Sequence, residues 1–236
     1  MLATDRAFLS TYRLRMAIRT ILYDLDGTLL DAFTTIHRAY SHTLPLFGAP
    51  APTMEQVRGV VGGGGDRALA QFLPDHQLSA AMKVLVAYTK TIMLEDVRLM
   101  PGGLEIVKRT HTLGATLAVF TNKGGDVARP CCEHLGVTSY MAGVFGAGDT
   151  PWVKPQPEFA AHVLKEINGD PRTTLLVGDS PWDVEAAHNA GFPCWCVTTG
   201  THDAAELTAA KADRVFPDLV AMRPELDAMI EPKLAS

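Results

Sequence analysis

The residues best suited to chemistry in this chain are polar side chains that follow directly on apolar runs. Ile18–Tyr23 (IRTILY) ends in Asp24-Leu25-Asp26-Gly27-Thr28, and Ala115–Phe120 (ATLAVF) ends in Thr121-Asn122-Lys123-Gly124-Gly125. Thr173–Val177 (TTLLV) ends in Gly178-Asp179-Ser180-Pro181, with Asp183 one helical turn further on. A fourth stretch, Trp152-Val153-Lys154-Pro155-Gln156-Pro157, contributes Lys154 and opens a helical pattern, Pro157 suiting a first turn. Gathering Asp24, Asp26, Asp179 and Asp183 is unfavourable by itself, because two like charges ~4 Å apart repel by about 4 kcal/mol at an effective dielectric of ~20. A divalent cation turns that repulsion into a coordination shell. Oxygen-only donors suit Mg2+, which keeps several waters and takes one or two carboxylates plus a phosphate. Lys154 and the Thr121 hydroxyl, with the Asn122 amide beside them, then have phosphoryl oxygens to hold, and backbone amides after each strand add donors.

Positioning these groups requires strands that stop where the polar residues begin. Short aliphatic and β-branched runs fit strands buried on both faces of a parallel sheet, and Pro193–Thr198 and Asp213–Phe216 are two further candidates. Between them, Leu104–Leu113, Val127–Leu135, Glu158–Ile167, Val184–Ala190 and Ala204–Ala210 carry apolar residues at helical spacing. Several close on a glycine (Gly114, Gly136, Gly169, Gly191) that suits a helix stop. Alternating strand and helix predicts a doubly wound α/β fold, whose ligands bind beyond the carboxyl ends of the strands. All the polar clusters fall there. From Ala32 to Leu99 no convincing strand occurs, only helical pattern over Phe33–Phe47, Met54–Val60, Arg67–Phe72 and Leu78–Asp96. The expected organisation is a catalytic core over 17–31 and 100–236, a helical cap over 32–99 on hinges near Asp31–Phe33 and Leu99–Gly102, and an N-terminal extension over 1–16.

Composition narrows the class. The 236 residues are 47% hydrophobic and 20% charged, as in ordinary globular chains, which excludes disordered and fibrous classes. The net charge of −5, without a basic stripe, points away from nucleic acid and anionic membranes as partners. No apolar stretch reaches the ~18 residues needed to span a bilayer, and the charged N-terminus does not read as a secretory signal. Cys131-Cys132 and Cys194-x-Cys196 match neither a disulfide scaffold nor a C-x-x-C site, so a reduced, cytoplasmic protein with buried apolar cysteines is expected. Met16 suits a natural start, because Ala17 opens the first strand and Met1–Arg15 carries no motif.

Taken in order, ILYDLDGTLLD, VFTNK, VKPQPEF and VGDSPWDVEAAHNAG resemble the four motifs of the haloacid dehalogenase-like hydrolase superfamily, over Ile21 to Gly191. The insertion between the first two motifs resembles the helical cap of the phosphoglycolate phosphatase and β-phosphoglucomutase branch. The resemblance implies a Rossmann-like core, a Mg2+ cofactor and an aspartyl-phosphate intermediate. It implies Asp24 as nucleophile and Asp26 as the acid that protonates the leaving oxygen and then the base that deprotonates water. Metal ligation falls to Asp24, the backbone carbonyl of Asp26, and Asp179. Asp183 stands behind them, orienting metal-bound water or Lys154, and Thr121 and Lys154 bind the phosphoryl group. The implied activity is hydrolysis of a small phosphorylated metabolite, 2-phosphoglycolate first, by a monomer or homodimer. A phosphomutase is the second reading, although VRGVVGGGGDRAL lacks that branch's Gly-x-Ser-Arg signature. A catalytically inactive binding protein is the third. The second aspartate of D-x-D, absent from the namesake dehalogenases, favours phosphoryl transfer.

Acid catalysis sets a further condition. A carboxyl of pKa ~3.9 is protonated only about one time in a thousand at pH 7, so Asp26 is expected to be kept neutral by neighbouring anions and partial desolvation. Gly62–Gly65 lacks the Lys-Ser/Thr of a P-loop and reads either as a cap loop facing the site, with Arg67 or Arg58 able to reach a substrate carboxylate, or as a simple turn with surface arginines. Trp152 and Trp182 flank the motif residues and read as packing side chains or as side chains that narrow the entrance to the site. Thr28 and Asp31 read as organisers of the turn after the first strand, and His37 and His42 as exposed cap residues.

Overall fold

The computed structural model describes residues 18–230. The expectations for Met1–Arg15 and Met16 lie outside them. The strands are β1 (Thr20–Tyr23), β2 (Leu30–Asp31), β3 (Arg98–Leu99), β4 (Thr116–Gly124), β5 (Gly143–Ala147), β6 (Thr174–Gly178), β7 (Cys194–Val197) and β8 (Arg214–Phe216). The helices are α1 (Phe33–Thr43), α2 (Met54–Arg58), α3 (Gly65–Leu69), α4 (Asp75–Ile92), α5 (Gly103–Thr112), α6 (Gly125–His134), α7 (Pro157–Glu166), α8 (Pro181–Asn189), α9 (Ala204–Ala209) and α10 (Leu219–Met229).

Six strands form one parallel sheet in the order β5-β4-β1-β6-β7-β8. Leu22 in β1 pairs with Ala118 on one side and Leu176 on the other. Successive residues point to opposite faces, so Ile21, Tyr23, Leu117, Val119, Leu175 and Val177 enter one apolar cluster while Leu22, Ala118, Phe120 and Leu176 enter another. Both faces are buried, which is why these strands read as continuous apolar runs. The chain builds β4 and β5 on one side of β1, then crosses to lay β6, β7 and β8 on the other. Ligand sites of such sheets lie where the order reverses, beyond the carboxyl ends of β1, β4 and β6.

Four details depart from the sequence reading. β4 continues through Thr121–Gly124, with a register shift against β5, so its polar residues are strand residues rather than a following loop. β5 (GVFGA) is a short edge strand with alternating burial and no apolar run to announce it. After α7 the left-handed residue is Asn168 (φ 54°), not Gly169. α10, begun by the Asp218 side chain accepting from the Ala221 N–H, carried no expectation at all.

The helical insertion leaves and re-enters through β2 and β3, an antiparallel pair with Leu30 opposite Leu99 and Asp31 opposite Arg98. Between them α1 to α4 enclose an apolar cluster of their own around Tyr40, Leu44, Val57, Leu69, Ala81 and Leu85. The 3-10 turn Leu44–Phe47 extends α1, and a Thr53/Gln56 capping box starts α2. His42 is exposed as expected and stacks on Tyr88, whereas His37 is half-buried against the Pro52 carbonyl (3.0 Å). All four cysteines are free and buried. Among the described residues no helix is long and apolar enough to cross a membrane.

Candidate active site

Three strand ends and one loop bring the polar clusters together. The Asp24 N–H donates to the Val177 carbonyl (2.9 Å), holding Asp24 at the end of the β1–β6 pair. The chain then turns sharply at Gly27 (φ +90°), where a Cβ would stand 2.6 Å from an oxygen of Asp179, so only glycine lets this turn lie against that carboxylate. Asp179 follows β6, and Ser180 starts α8 by a reciprocal cap with Asp183. Lys154 is held from the second strand end, since the Asn122 side chain accepts from the Lys154 N–H (2.8 Å) and donates to its carbonyl (3.1 Å).

Lys154 Nζ donates to Asp24 Oδ1 and to Asp183 Oδ1, each at 2.6 Å. Asp183 also accepts through Oδ2 from the Asp179 N–H (3.2 Å), the Ser180 N–H (3.1 Å) and the Ser180 hydroxyl (2.6 Å). Both its oxygens are therefore engaged, and it acts as an anchor for Lys154 and for the Asp179–Ser180 corner. Asp179 is different. It accepts from the Thr28 hydroxyl (3.1 Å) and the Thr201 N–H (3.3 Å), is buried, and has no ion-pair partner among the described residues. Burial pushes the Asp24 carboxyl up to about 6 against the opposing pull of Lys154. Burial, reinforced by Asp24 and Asp183, raises Asp179 well above the ordinary carboxylate range. Burial alone would lower Lys154, but Asp183 and Asp24 together hold its ammonium above the usual value.

This arrangement fits a divalent cation. Oxygens of Asp24, Asp179 and Asp183 lie within 4.8 Å of one another. Fully ionised, the three carboxylates set against one ammonium would leave two negative charges in a buried site, and a buried carboxylate without a cation is costly. Asp24 and Asp179 have coordination capacity to offer, whereas the oxygens of Asp183 are already taken.

Asp26 departs from expectation. Lys123 Nζ lies 3.0 Å from both its oxygens, so the nearest charged group is a cation rather than an anion. Burial alone would depress the Lys123 ammonium, and Asp26 more than restores it. Thr121 is buried, and its hydroxyl accepts from the Lys123 N–H (3.2 Å). Asp24, Asp26, Thr121, Asn122 and Lys123 open into a cavity of about 370 Å3 whose far wall is made by the helical insertion.

Gly62, Gly64 and Gly65 line that cavity, and the Gly62 carbonyl accepts from the Asn122 amide (3.0 Å), so the glycine run does face the core. Arg67 does not enter the cavity. Its guanidinium lies 4.5 Å from the centre of the Trp182 ring, and Arg58 lies 3.9 Å from that of Phe33. Cation–π attraction and the packed aliphatic stem hold both at the edge of the insertion. Trp182 also packs on Gly62 and Gly63, joining insertion to core, while Trp152 packs against the cluster around Phe159. Lys123 was present in the sequence as the residue after Thr121-Asn122, but alternation along a strand was the only signal for its direction. Thr28 reaches Asp179 as well as organising its turn. Ser180 and Thr201 gave no signal.

Comparison with known proteins agrees with this geometry. The sequence model of the haloacid dehalogenase-like hydrolase family matches residues 21–197. A phosphoglycolate phosphatase of Agrobacterium fabrum is 32% identical over 213 residues, covering 87% of this chain and 91% of that protein. One of Vibrio vulnificus is 31% identical over 212 residues, covering 86% and 93%. Among solved structures, a predicted phosphoglycolate phosphatase of Haemophilus somnus superposes with a TM-score of 0.77 at 25% identity, covering 85% of this chain and 94% of that one. A haloacid dehalogenase-like hydrolase of Streptococcus pneumoniae gives 0.81 at 23% identity over 89% and 98%, a likeness of fold. The chain therefore belongs to the haloacid dehalogenase-like hydrolases, on the branch of its phosphoglycolate phosphatase relatives, and is a phosphoric monoester hydrolase.

Proposed function

We propose that this protein is a Mg2+-dependent phosphatase that hydrolyses a small phosphorylated metabolite through a phosphorylated Asp24. The observation that carries the reading is the buried Asp24–Lys154–Asp183 chain, with the Asp179 carboxylate beside it and without an ion-pair partner among the described residues. Asp24 attacks phosphorus, forming a carboxyl–phosphoryl bond as the ester oxygen departs. Lys154 steers the nucleophile by holding one of its oxygens, and with Thr121 it receives phosphoryl oxygens. Asp26 gives its proton to the departing oxygen, then takes one from the water that cleaves the acyl phosphate, which restores Asp24 and releases inorganic phosphate. To donate, Asp26 must first take up a proton from solvent as its pair with Lys123 loosens, and the negative charge of an arriving phosphoryl group, drawing on Lys123, is suited to that. Bound Mg2+, held by Asp24, Asp179 and the Asp26 carbonyl, would offset the charge on the phosphoryl oxygens. Asp183 acts through Lys154.

2-Phosphoglycolate, the compound in the relatives' names, comes to this chain through that likeness and is the reference substrate. The free, buried cysteines support a reducing, cytoplasmic setting. The test measures phosphate release from a panel of phosphomonoesters with Mg2+, with chelator, and with Asp24→Asn. Loss on chelation, recovery with Mg2+ and at least a ~10^3-fold fall in Asp24→Asn are expected. Undiminished turnover in Asp24→Asn overturns the mechanism, and an isomerised sugar phosphate without phosphate release selects the mutase reading.

A further inference from the structure

The wall of the cavity opposite Asp24 is apolar. Met82, Leu85, Val86 and Thr89 recur at three- and four-residue spacing on α4, so one face of that helix looks into the site. Ile36 from α1 and the Val60–Val61 loop complete the wall. Its charged neighbours are mostly acidic, since Asp66 and Asp126 also line the cavity, Asp126 already paired at 2.6 Å with Lys90 outside the lining. Among the described lining residues Lys123 is the one cation, and Asp26 already occupies it at 3.0 Å. The arginines expected to meet a substrate carboxylate are committed elsewhere, Arg67 to Trp182 and Arg58 to Phe33.

We infer that the favoured substrate is a phosphomonoester whose leaving group is uncharged and apolar, taken up by the Met82–Leu85–Val86 face of α4. The inference rests on the phosphatase reading above and names the substrate class for that same site. A carboxylate entering beside Asp66 and Asp126 gives up hydration without gaining a free cation. An alkyl or similar neutral group loses nothing comparable and removes apolar surface from water on both sides. Ligand cavities begin at roughly 300 Å3, so this one accommodates a leaving group larger than the two-carbon acid of 2-phosphoglycolate.

Isobutyl phosphate makes a direct comparison, because it replaces the two carboxylate oxygens of 2-phosphoglycolate with methyl groups of similar shape. For the full-length protein with Mg2+, kcat/KM for isobutyl phosphate is expected to exceed that for 2-phosphoglycolate at least tenfold. Along the series ethyl, propyl, butyl and pentyl phosphate it should rise roughly fourfold per methylene until the cavity is filled. Val86→Lys or Met82→Lys, each supplying the missing cation, should lower the preference for isobutyl phosphate by about tenfold or more. 2-Phosphoglycolate turned over as well as or better than isobutyl phosphate, with activity lost in Asp24→Asn, overturns the inference and leaves the phosphatase reading standing. Failure to release phosphate from either ester and from p-nitrophenyl phosphate overturns the phosphatase reading, and the inference with it.

Discussion

At Asp183 a single carboxylate accepts four hydrogen bonds, one of them from the ammonium that also grips Asp24. Removing it leaves Lys154 half-partnered and the Ser180 corner without its acceptor. Breaking a buried ion pair from one side costs about 3–5 kcal/mol, so Asp183→Ala should lower stability by roughly that amount in urea titration, and Asp183→Asn by less. Asp24 supplies a pH prediction. With its carboxyl pushed up to about 6 when folded, against the ordinary 3.8, the folded chain holds that proton more tightly than the unfolded one. In the metal-free protein the stability that Asp24 contributes therefore grows as pH falls through 6 towards 4. Mg2+ binds only the ionised carboxylates, so its effect runs the other way. The rise in Tm on adding Mg2+ should be largest near pH 7.5 and almost vanish by pH 5, as measured by scanning calorimetry.

At the scale of elements, the β1 turn and the β6 end are fitted to each other. Gly27 at φ +90° leaves just enough room for Asp179, and its carbonyl accepts from the Thr199 hydroxyl (2.7 Å). Gly27→Ala adds a Cβ at 2.6 Å from an Asp179 oxygen in a backbone conformation that costs an L-residue about 1–2 kcal/mol. Asp179 must shift, so the Mg2+ concentration giving half-maximal activity should rise about 10- to 100-fold, with the protein remaining folded by circular dichroism. Unchanged Mg2+ dependence would remove Asp179 from the ligand set.

Across the whole molecule, insertion and core meet through an apolar seam, where Ile36 and Met93 pack on the core cluster, and through several polar contacts. Asn122 donates to the Gly62 carbonyl, Arg67 stacks on Trp182, Lys90 pairs with Asp126 at 2.6 Å, and the Cys131 thiol approaches the Met93 carbonyl. Interfaces of that kind permit relative motion of the two parts, on the short β2–β3 pair that joins them. Trp182→Ala removes both the platform under Arg67 and the packing on Gly62–Gly63. It should raise KM about tenfold with a smaller change in kcat, while Tm falls by no more than about 2–4 °C, because each part retains its own apolar cluster.

The strand ends, the carboxylates beyond them and the helical insertion were legible because they rest on local patterns. An apolar run buried on both faces gives way to polar residues at Asp24, Thr121 and Asp179, although β4 itself runs on to Gly124, and three- and four-residue spacing marks a helix face wherever that helix packs. β5 escaped because an edge strand of five residues, GVFGA, needs no apolar run, and α10 because its pattern is interrupted by Pro224. Pairings between distant side chains were not legible. Lys123 meets Asp26 across 97 residues, Asn122 clasps Lys154 across 32, and Arg67 turns to Trp182 instead of the cavity. Composition and spacing say which groups reach one end of a sheet, but the partner each group takes depends on backbone direction and packing that several segments set together. Tertiary structure decided between metal-bound water and Lys154 as the partner of Asp183, left Asp179 without an ion-pair partner among the described residues, and made the wall facing Asp24 apolar.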